Sequence, residues 1–419
     1  MRNFYVIASG YLLFTLTDSA LRMIVLLELF QRRYNALEIS FMFILYEFIG
    51  AFTNLFGGIM GSRLGLRFCL VVGLTAQIIG IAILCGLQAD WSKVMVIIYI
   101  IIAQGFSGVA KDMVKIGGKS VTKLVTSDQE KSRLFKLVAW LTGAKNSVKG
   151  AGFFWGAFLL NFIQYVPSLI VLLLMNFIVM IPAWFYLDRD LAVSKSKKKL
   201  TLKQIFFKGR DVNILSIARM FLFGSRDLWF EVPLPLFIRG PSIGWSYIPT
   251  GAFLAGWVIF YGFIQSSTPQ LILKPIKQYP LKSGKILVPS TLFLLLLSIG
   301  VAIGLTVVQL SLSTTSSYVP LLVLLLVGLF LFAFIFAINS SIHSFLILAY
   351  CKRDKVAINV GFYYMANALG RLLGLIIGGI LFYYLDFYAC LWASVVSLIF
   401  CVMVSHFLGP IPQSDENES

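Results

Sequence analysis

Uninterrupted apolar runs of 20 or more residues recur along this chain, for example at 166–187 and 286–310. A membrane-spanning helix needs about 20 apolar residues, whereas a membrane β-strand needs about ten residues of alternating polarity. These runs do not alternate, so they predict an all-α membrane protein and exclude a β-barrel. The composition agrees, because 59% of the 419 residues are hydrophobic, 13% are charged and the mean hydropathy is +0.88.

Proline, glycine and charged residues divide the apolar sequence into twelve candidate transmembrane helices. Their approximate bounds are 4–30, 38–61, 67–88, 94–115, 134–160, 165–187, 212–237, 246–270, 286–310, 318–350, 356–384 and 386–408. Pro233 and Pro235 are expected to break or bend the seventh helix. The longest polar stretch lies between the sixth and seventh candidates. We therefore predict four regions, which are an N-terminal six-helix bundle at 1–187, a basic cytoplasmic linker at 188–211, a C-terminal six-helix bundle at 212–408 and a disordered acidic tail at 409–419.

The basic residues of the loops indicate the orientation, because cytoplasmic loops of membrane proteins carry an excess of Lys and Arg. With a cytoplasmic N-terminus, 23 basic loop residues lie inside and four lie outside. Both termini are therefore predicted to be cytoplasmic, and the net charge of +17 reflects these loops instead of nucleic-acid binding. The first apolar segment contains Asp18 and Arg22 and lacks a small-residue cleavage site, so we interpret it as a span and not as a signal peptide.

Twelve helices in two halves joined by a basic cytoplasmic loop resemble the layout of the major facilitator superfamily, whose halves rock about a midplane site. The turn at 57–67, with the sequence GGIMGSRLGLR, is similar to the cytoplasmic G-x-x-x-D-R-x-G-R-R signature of that superfamily. Ser62 and Leu66 stand where the signature has an aspartate and a basic residue. The resemblance implies a transporter, but the charge relay usual in this loop is not expected here.

Eight basic side chains fall inside the apolar segments, where a lone Lys or Arg costs roughly 2.5 to 3.5 kcal/mol. They are Arg22, Lys111, Lys115, Lys145, Lys149, Arg219, Arg226 and Arg371. Such residues face a water-filled cavity, pair with acids or bind an anion. Five of them lie near the middle of their helices. Lys111, Lys115 and Arg219 lie nearer the cytoplasmic ends, where snorkelling to the membrane surface is the alternative interpretation.

Lys145 and Lys149 are four residues apart and share one face of the fifth helix, with Asn146 beside them. Two lysines on one face repel each other, so they need acids from other helices or a bound anion, and an anionic substrate is the simpler explanation. A planar guanidinium can also bind a phosphate-like group through two parallel hydrogen bonds. The residues expected to bind substrate are Arg22, Lys145, Asn146, Lys149, Arg226 and Arg371, with Lys111, Lys115 and Arg219 at the cytoplasmic approach.

Acids within the candidate spans are expected either to pair with a base or to couple transport to a proton. Asp18 can pair with Arg22 four residues later, and Asp112 can pair with a basic neighbour. Glu47 has no basic residue within one turn of its helix. It is therefore the best candidate for a coupling group that burial keeps protonatable.

Asp227 follows Arg226 directly, so it is expected to point away from it and to form a pair across helices or carry a proton. His343 is a weaker proton candidate, because a lone histidine on an apolar helix is more often a satisfied core residue.

The cysteines are scattered, without a CxxC pair or a histidine-rich partner, so free thiols are predicted and no disulfide, metal or other cofactor.

Six blocks of sequence together resemble the ArsJ-type organoarsenical efflux permeases. They are FTLTDSALRM at 14–23, YEF at 46–48, SGVAKD at 107–112, LTGAKNSVKG at 141–150, ARMFLFGSRD at 218–227, and NVGFYYMAN at 359–367 with Gly370 and Arg371 following. The blocks occur in both predicted halves and include the midplane charges.

This resemblance implies export of 1-arseno-3-phosphoglycerate, the unstable ester that glyceraldehyde-3-phosphate dehydrogenase makes when arsenate replaces phosphate. That dehydrogenase is then a functional partner, and the outcome is arsenate resistance by alternating access with proton coupling or exchange. Pentavalent arsenate requires Arg and Lys, whereas trivalent arsenic favours thiolate clusters. A monomer in the plasma (inner) membrane is expected.

Three alternatives stay open at this point. The first is an exchanger of phosphorylated metabolites for phosphate, and the second is another drug or metabolite exporter of the same superfamily. An exporter of cations is disfavoured, because the spans contain more bases than acids. The third is a membrane enzyme acting on phospholipids, for which no Ser/His/Asp set, metal cluster or phosphate-binding loop is visible. The chain is therefore predicted not to be an enzyme.

Overall fold

The computed structural model describes residues 2–88, 90–124, 131–188, 209–241, 243–268, 284–312, 319–350 and 356–410. The N-terminal half consists of α1 (Arg2–Gln31), α2 (Ala36–Met42), α3 (Ile44–Cys85), α4 (Lys93–Leu124), α5 (Lys131–Ile163) and α6 (Tyr165–Phe185). The C-terminal half consists of α7 (Arg210–Phe230), α8 (Pro233–Arg239), α9 (Tyr247–Ser267), α10 (Leu287–Leu312), α11 (Val319–Tyr350) and α12 (Val356–Ser405). A short 3₁₀ turn, Gly284–Ile286, precedes α10. The prediction of an all-α protein is confirmed.

The two longest helices, α3 and α12, are each interrupted once. Gly65 in α3 has φ 83° and ψ 164°, a conformation that glycine adopts without steric cost. Asp386 in α12 has φ 72° and ψ −177°, and its Oδ1 accepts a hydrogen bond from the Phe387 backbone N–H at the start of the following helical stretch. Gly65 lies between the second and third candidate spans of the sequence, and Asp386 is the first residue of the twelfth.

Seven helical segments within the described residues are long and apolar enough to cross a bilayer. They are Arg67–Cys85, Lys93–Lys115, Tyr165–Phe185, Tyr247–Ser267, Leu287–Val308, Val319–Ile347 and Asn359–Ser405. The long helices α1, α5 and α7 are outside this set, and each contains charged residues of the site described below. The chain is thus an integral, multi-pass membrane protein, while the count of twelve spans and the cytoplasmic placement of the termini stay predictions.

Glycines bring neighbouring helices close together. A Cβ at Gly370 or Gly378 of α12 would collide with the backbone carbonyl oxygen of Met220 or Leu228 on α7. A Cβ at Gly156 of α5 would collide with the Ala20 carbonyl oxygen on α1. These close crossings set the distance between the helices that contain the charged side chains.

Contacts between the halves run along two seams, since α5 packs against α9 while α2 and α3 pack against α12. At the second seam, a Cβ at Gly379 of α12 would overlap Ser40 of α2. The predicted linker falls mainly on 189–208 and the predicted tail mainly on 411–419, which are outside the described residues. The helix that follows the linker, α7, begins at Arg210, two residues before the predicted bundle boundary.

Candidate functional site

Glu47 on α3 is buried between cations from three other helices. Its Oε1 lies 3.0 Å from Arg22 Nη1 of α1 and 2.9 Å from Arg371 Nη2 of α12, and its Oε2 lies 3.4 Å from Lys111 Nζ of α4. Glu47 has no basic residue within one turn of its own helix, so spacing along the sequence does not predict these partners. In the structure, Glu47 pairs with cations on other helices, and these cations come from both halves of the chain.

Glu231 forms the second such centre, in the break between α7 and α8 that Pro233 creates. Its Oε2 lies 3.2 Å from Arg22 Nη2, and its Oε1 lies 3.0 Å from Arg371 Nη2 and 3.8 Å from Lys149 Nζ. Arg226 Nη2 is 4.0 Å away. Sequence reasoning did not select Glu231 as a site residue, although an acid directly before the helix-breaking prolines was the available signal.

Asp227 bridges two arginines. Arg226 Nε donates to its Oδ1 at 2.6 Å, and Arg371 Nε donates to its Oδ2 at 2.8 Å. The expectation that Asp227 points away from Arg226 is therefore wrong, because the long arginine side chain folds back along the helix to reach its neighbour. The expected cross-helix pair is present as well, with Arg371.

Asp18 makes a different contact from the one that its spacing suggested. It accepts a hydrogen bond from Tyr46 Oη at 2.8 Å, while the Arg22 guanidinium turns to the two glutamates. The Tyr46 ring also lies beneath two cations, with its centroid 3.8 Å from Lys111 Nζ and 4.9 Å from Arg22 Cζ. Tyr46 thus links the Asp18 carboxylate to the cations around Glu47.

We call these residues the central charge cluster, and its members are Arg22, Glu47, Lys111, Lys149, Arg226, Asp227, Glu231 and Arg371. It contains five cations and three carboxylates. Even with Asp18 included, the cations exceed the acids by one. Because buried charge is costly unless it is balanced, a positive surplus between helices favours an anionic ligand.

The central charge cluster is tightly packed beside Arg22 and Glu231, whereas Lys111, Lys149 and Arg371 are partly exposed. The cavity beside Arg22 and Glu231 measures about 10 Å³, which is close to the space that one water occupies. A larger cavity of about 500 Å³ lies between α5 and α9, lined by residues such as Ser147, Phe260 and Phe263. It is largely apolar and separate from the cluster. An organic anion therefore needs side chains to turn, or the halves to move apart, before it fits between Arg22 and Glu231.

The remaining predicted residues lie outside the central charge cluster as defined above. Lys115 Nζ is 3.4 Å from Asp112 Oδ1 one turn earlier on α4, so the pairing expected for Asp112 is present. Asn146 Nδ2 donates to Gln265 Oε1 at 2.7 Å and joins α5 to α9. Lys145 is half-buried beside it on α5.

Arg219 is buried and points inward, so it does not snorkel to the membrane surface. Its Nε donates to Asn367 Oδ1 at 3.1 Å, and its Nη1 donates to the Ser340 carbonyl at 3.2 Å and the Ser340 hydroxyl at 3.1 Å. Ser340 also accepts from Tyr261 and Gln265 of α9. Sequence reasoning missed Ser340, because a serine in an apolar helix carries no distinct signal.

Cys69, Cys85, Cys390 and Cys401 are free thiols, and Cys351 is outside the described residues. Among the residues that the structure describes, His, Cys, Asp and Glu form no group of three or more that could hold a metal ion.

A bundle of apolar helices with a buried, surplus-positive cluster between its halves defines a membrane transporter. The family model of the Major Facilitator Superfamily matches residues 7–346, and the chain belongs to that superfamily. Membership of this superfamily indicates a transporter of small molecules in a lipid bilayer. Among solved structures, it is similar to a bacterial homologue of the iron transporter ferroportin in an inward-facing state.

That likeness has a TM-score of 0.67 at 16% sequence identity and covers 96% of this chain and 98% of the other. At this identity it establishes the shared fold. A comparison with curated protein sequences gives no match.

Proposed function

We propose that this protein is a secondary active exporter of an organoarsenical anion, 1-arseno-3-phosphoglycerate, and that it confers arsenate resistance. One observation carries the proposal, which is the surplus of cations over carboxylates within the central charge cluster, where the two halves meet. An anion with a phosphate and an arsenate group supplies the missing negative charge. The resemblance to the ArsJ-type permeases supports the choice of substrate within the anion class.

In the proposed mechanism, two six-helix bundles at 1–187 and 212–408 rock about the central charge cluster, with twelve spans and both termini in the cytoplasm. The protein acts as a monomer in the plasma (inner) membrane. Glyceraldehyde-3-phosphate dehydrogenase is its functional partner because that enzyme supplies the substrate.

Three ion pairs between described residues join the halves and must break during this movement. They are Arg22–Glu231, Lys149–Glu231 and Arg371–Glu47. Substrate oxyanions can replace the glutamates on the same cations, and a guanidinium favours this exchange because it binds an oxyanion with two parallel hydrogen bonds. The glutamates thus act as internal anions that hold the cations until substrate arrives.

Coupling to protons follows from the same exchange. A carboxylate that loses its cationic partners in a low-dielectric interior becomes easier to protonate. Glu47 and Asp227 are the proposed coupling groups, since each shares Arg371 and is released when that arginine binds substrate. Arg22, Lys149, Arg226 and Arg371 are the proposed substrate anchors, with Lys111, Lys115, Lys145 and Asn146 along the path.

The decisive experiment is growth of an arsenic-sensitive host that expresses this protein with and without a partner glyceraldehyde-3-phosphate dehydrogenase. We expect tolerance to arsenate alone, and only when the dehydrogenase is present. Lys93→Gln, which removes an exposed pair with Glu38, is the matched control and should behave as the wild type. Tolerance to arsenite, or to arsenate without the dehydrogenase, contradicts the proposal.

An exchanger of phosphorylated metabolites for phosphate is the second candidate, because the same positive surplus suits any phosphorylated anion. Counterflow in vesicles distinguishes the two. Rapid exchange of labelled inorganic phosphate against a phosphorylated metabolite favours the exchanger, whereas the exporter gives no phosphate counterflow.

A further inference from the structure

Arg219 differs from the arginines of the central charge cluster in its partners. Arg22, Arg226 and Arg371 each contact two or more carboxylates. Arg219 is only 4% exposed, and its hydrogen bonds go to neutral acceptors on α11 and α12. Within the described part of the chain, no carboxylate oxygen lies within 4.0 Å of it. Its charge is therefore solvated by dipoles but not neutralised, which an anion would correct.

A second buried polar side chain, within electrostatic range of Arg219, has no hydrogen-bond partner among the described residues. His343 lies three residues after Ser340 on α11, so both occupy one face of that helix. The imidazole is fully buried, and neither ring nitrogen has a hydrogen-bond partner among the residues of known placement. Buried polar atoms are normally satisfied, so an unsatisfied histidine next to an unneutralised arginine indicates a ligand that accepts hydrogen bonds.

Arg219 lies close to the central charge cluster. Arg219 and Arg226 are seven residues apart on α7, and both guanidinium groups lie over the Phe223 ring, with their Cζ atoms 3.9 Å and 5.1 Å from its centroid. Since both distances are measured to the same point, the two Cζ atoms are at most about 9 Å apart. This separation is comparable to the reach of a small molecule with an oxyanion at each end of a three-carbon chain.

We propose that Arg219, together with Ser340, Asn367 and His343, forms a second anion subsite. This subsite binds one oxyanion group of a two-headed substrate while the other group binds at the central charge cluster. The inference rests on the proposed function and adds that the site has two parts. The central charge cluster binds one anionic group, and the Arg219 subsite selects for a second.

Binding of one-headed and two-headed anions to the purified full chain in lipid nanodiscs tests the inference. The probes are glycerol 3-phosphate, with one oxyanion group, and propane-1,3-bisphosphonate, with two. The wild type should bind the bisphosphonate at least about tenfold more tightly. Arg219→Gln should weaken bisphosphonate binding by about 10- to 100-fold and change glycerol 3-phosphate binding by less than about twofold, since a charge-assisted hydrogen bond is lost at one pole only.

His343→Gln should produce the same selective loss of bisphosphonate affinity on a smaller scale. Size exclusion and thermal unfolding show whether Arg219→Gln is folded. If it is not, His343→Gln is used to test the subsite instead. Arg219→Lys should recover part of the bisphosphonate affinity. Equal loss for both probes, or no loss for either, overturns the subsite. If the wild type binds both probes alike while arsenate tolerance persists, the subsite is wrong and the proposed function stands. If the wild type binds neither probe, the subsite is likewise overturned, and absence of arsenate tolerance then rejects the function as well.

Discussion

Arg371 Nη2 lies 2.9 Å from Glu47 Oε1, although 324 residues separate them along the chain. The same guanidinium contacts Asp227 and Glu231, so one side chain holds three carboxylates together. Two of these acids belong to the C-terminal half and one to the N-terminal half. Arg371 therefore joins carboxylates of both halves, and substitutions there should affect both stability and transport.

Arg371→Gln should lower the thermal unfolding midpoint and abolish arsenate tolerance. Removing one partner of a buried ionic network costs about 3 to 5 kcal/mol, because the carboxylates lose their counter-charge. Arg371→Lys should not restore transport above about a tenth of wild type, since a single ammonium group cannot span three carboxylates as a guanidinium does. Midpoints of the purified variants and growth on arsenate measure both effects. Wild-type transport by Arg371→Lys would contradict this role.

Glu231→Gln should bind anions more tightly and transport them more slowly. The substitution removes a carboxylate that competes with substrate for Arg22, Lys149 and Arg371, so the positive surplus rises by one charge. An affinity gain of about 3- to 10-fold for a phosphorylated probe is expected, together with a reduced rate of release. Binding and vesicle efflux are measured on the same preparation.

Glu28→Gln is the matched control for Glu231→Gln, because Glu28 on α1 pairs with Arg32 just after the end of that helix, outside the central charge cluster. Such a pair contributes little, so binding and efflux should both be unchanged. A loss of anion affinity in Glu231→Gln would show that the glutamate organises the cations and does not compete with substrate.

Much of the fold is readable from local sequence, whereas the pairing within the site is not. Apolar runs predict the helices, and Pro233 predicts the break that separates α7 from α8. The partners of Glu47 come from α1, α4 and α12, and spacing rules address only residues on one helix. The position of Arg219 along the sequence predicts a place near the cytoplasmic end of its helix. In the folded chain, α11 and α12 cover it, which only the tertiary arrangement determines.

A cross-link between Ser40→Cys and Gly379→Cys should stop transport reversibly. These positions on α2 and α12 are in direct contact across the two halves, with the Gly379 Cβ position 2.5 Å from Ser40 Cβ. A disulfide needs about 3.5 to 4.5 Å between Cβ atoms, so the two helices must shift apart by about 1 Å to form it. If the halves separate at this seam during the cycle, oxidation should abolish efflux from vesicles and a reductant should restore it. Each single cysteine variant serves as the control for the native thiols. Undiminished efflux after complete cross-linking would show that this seam stays closed throughout transport.

Gly370→Ala should destabilise the protein, whereas Gly300→Ala should not. A methyl group at Gly370 collides with the Met220 carbonyl oxygen on α7, and a rigid backbone atom cannot yield as a side chain can. Overpacking of this kind costs about 1 to 3 kcal/mol and should also displace the neighbouring Arg371. Gly300 on α10 has no atom within 4 Å of its would-be Cβ, so alanine there should be neutral or slightly stabilising through its higher helix propensity. Thermal midpoints of the two variants test the difference. Equal midpoints would show that α7 and α12 can move apart at this crossing. Helix packing would then not fix the distance between Arg371 and the carboxylates of α7.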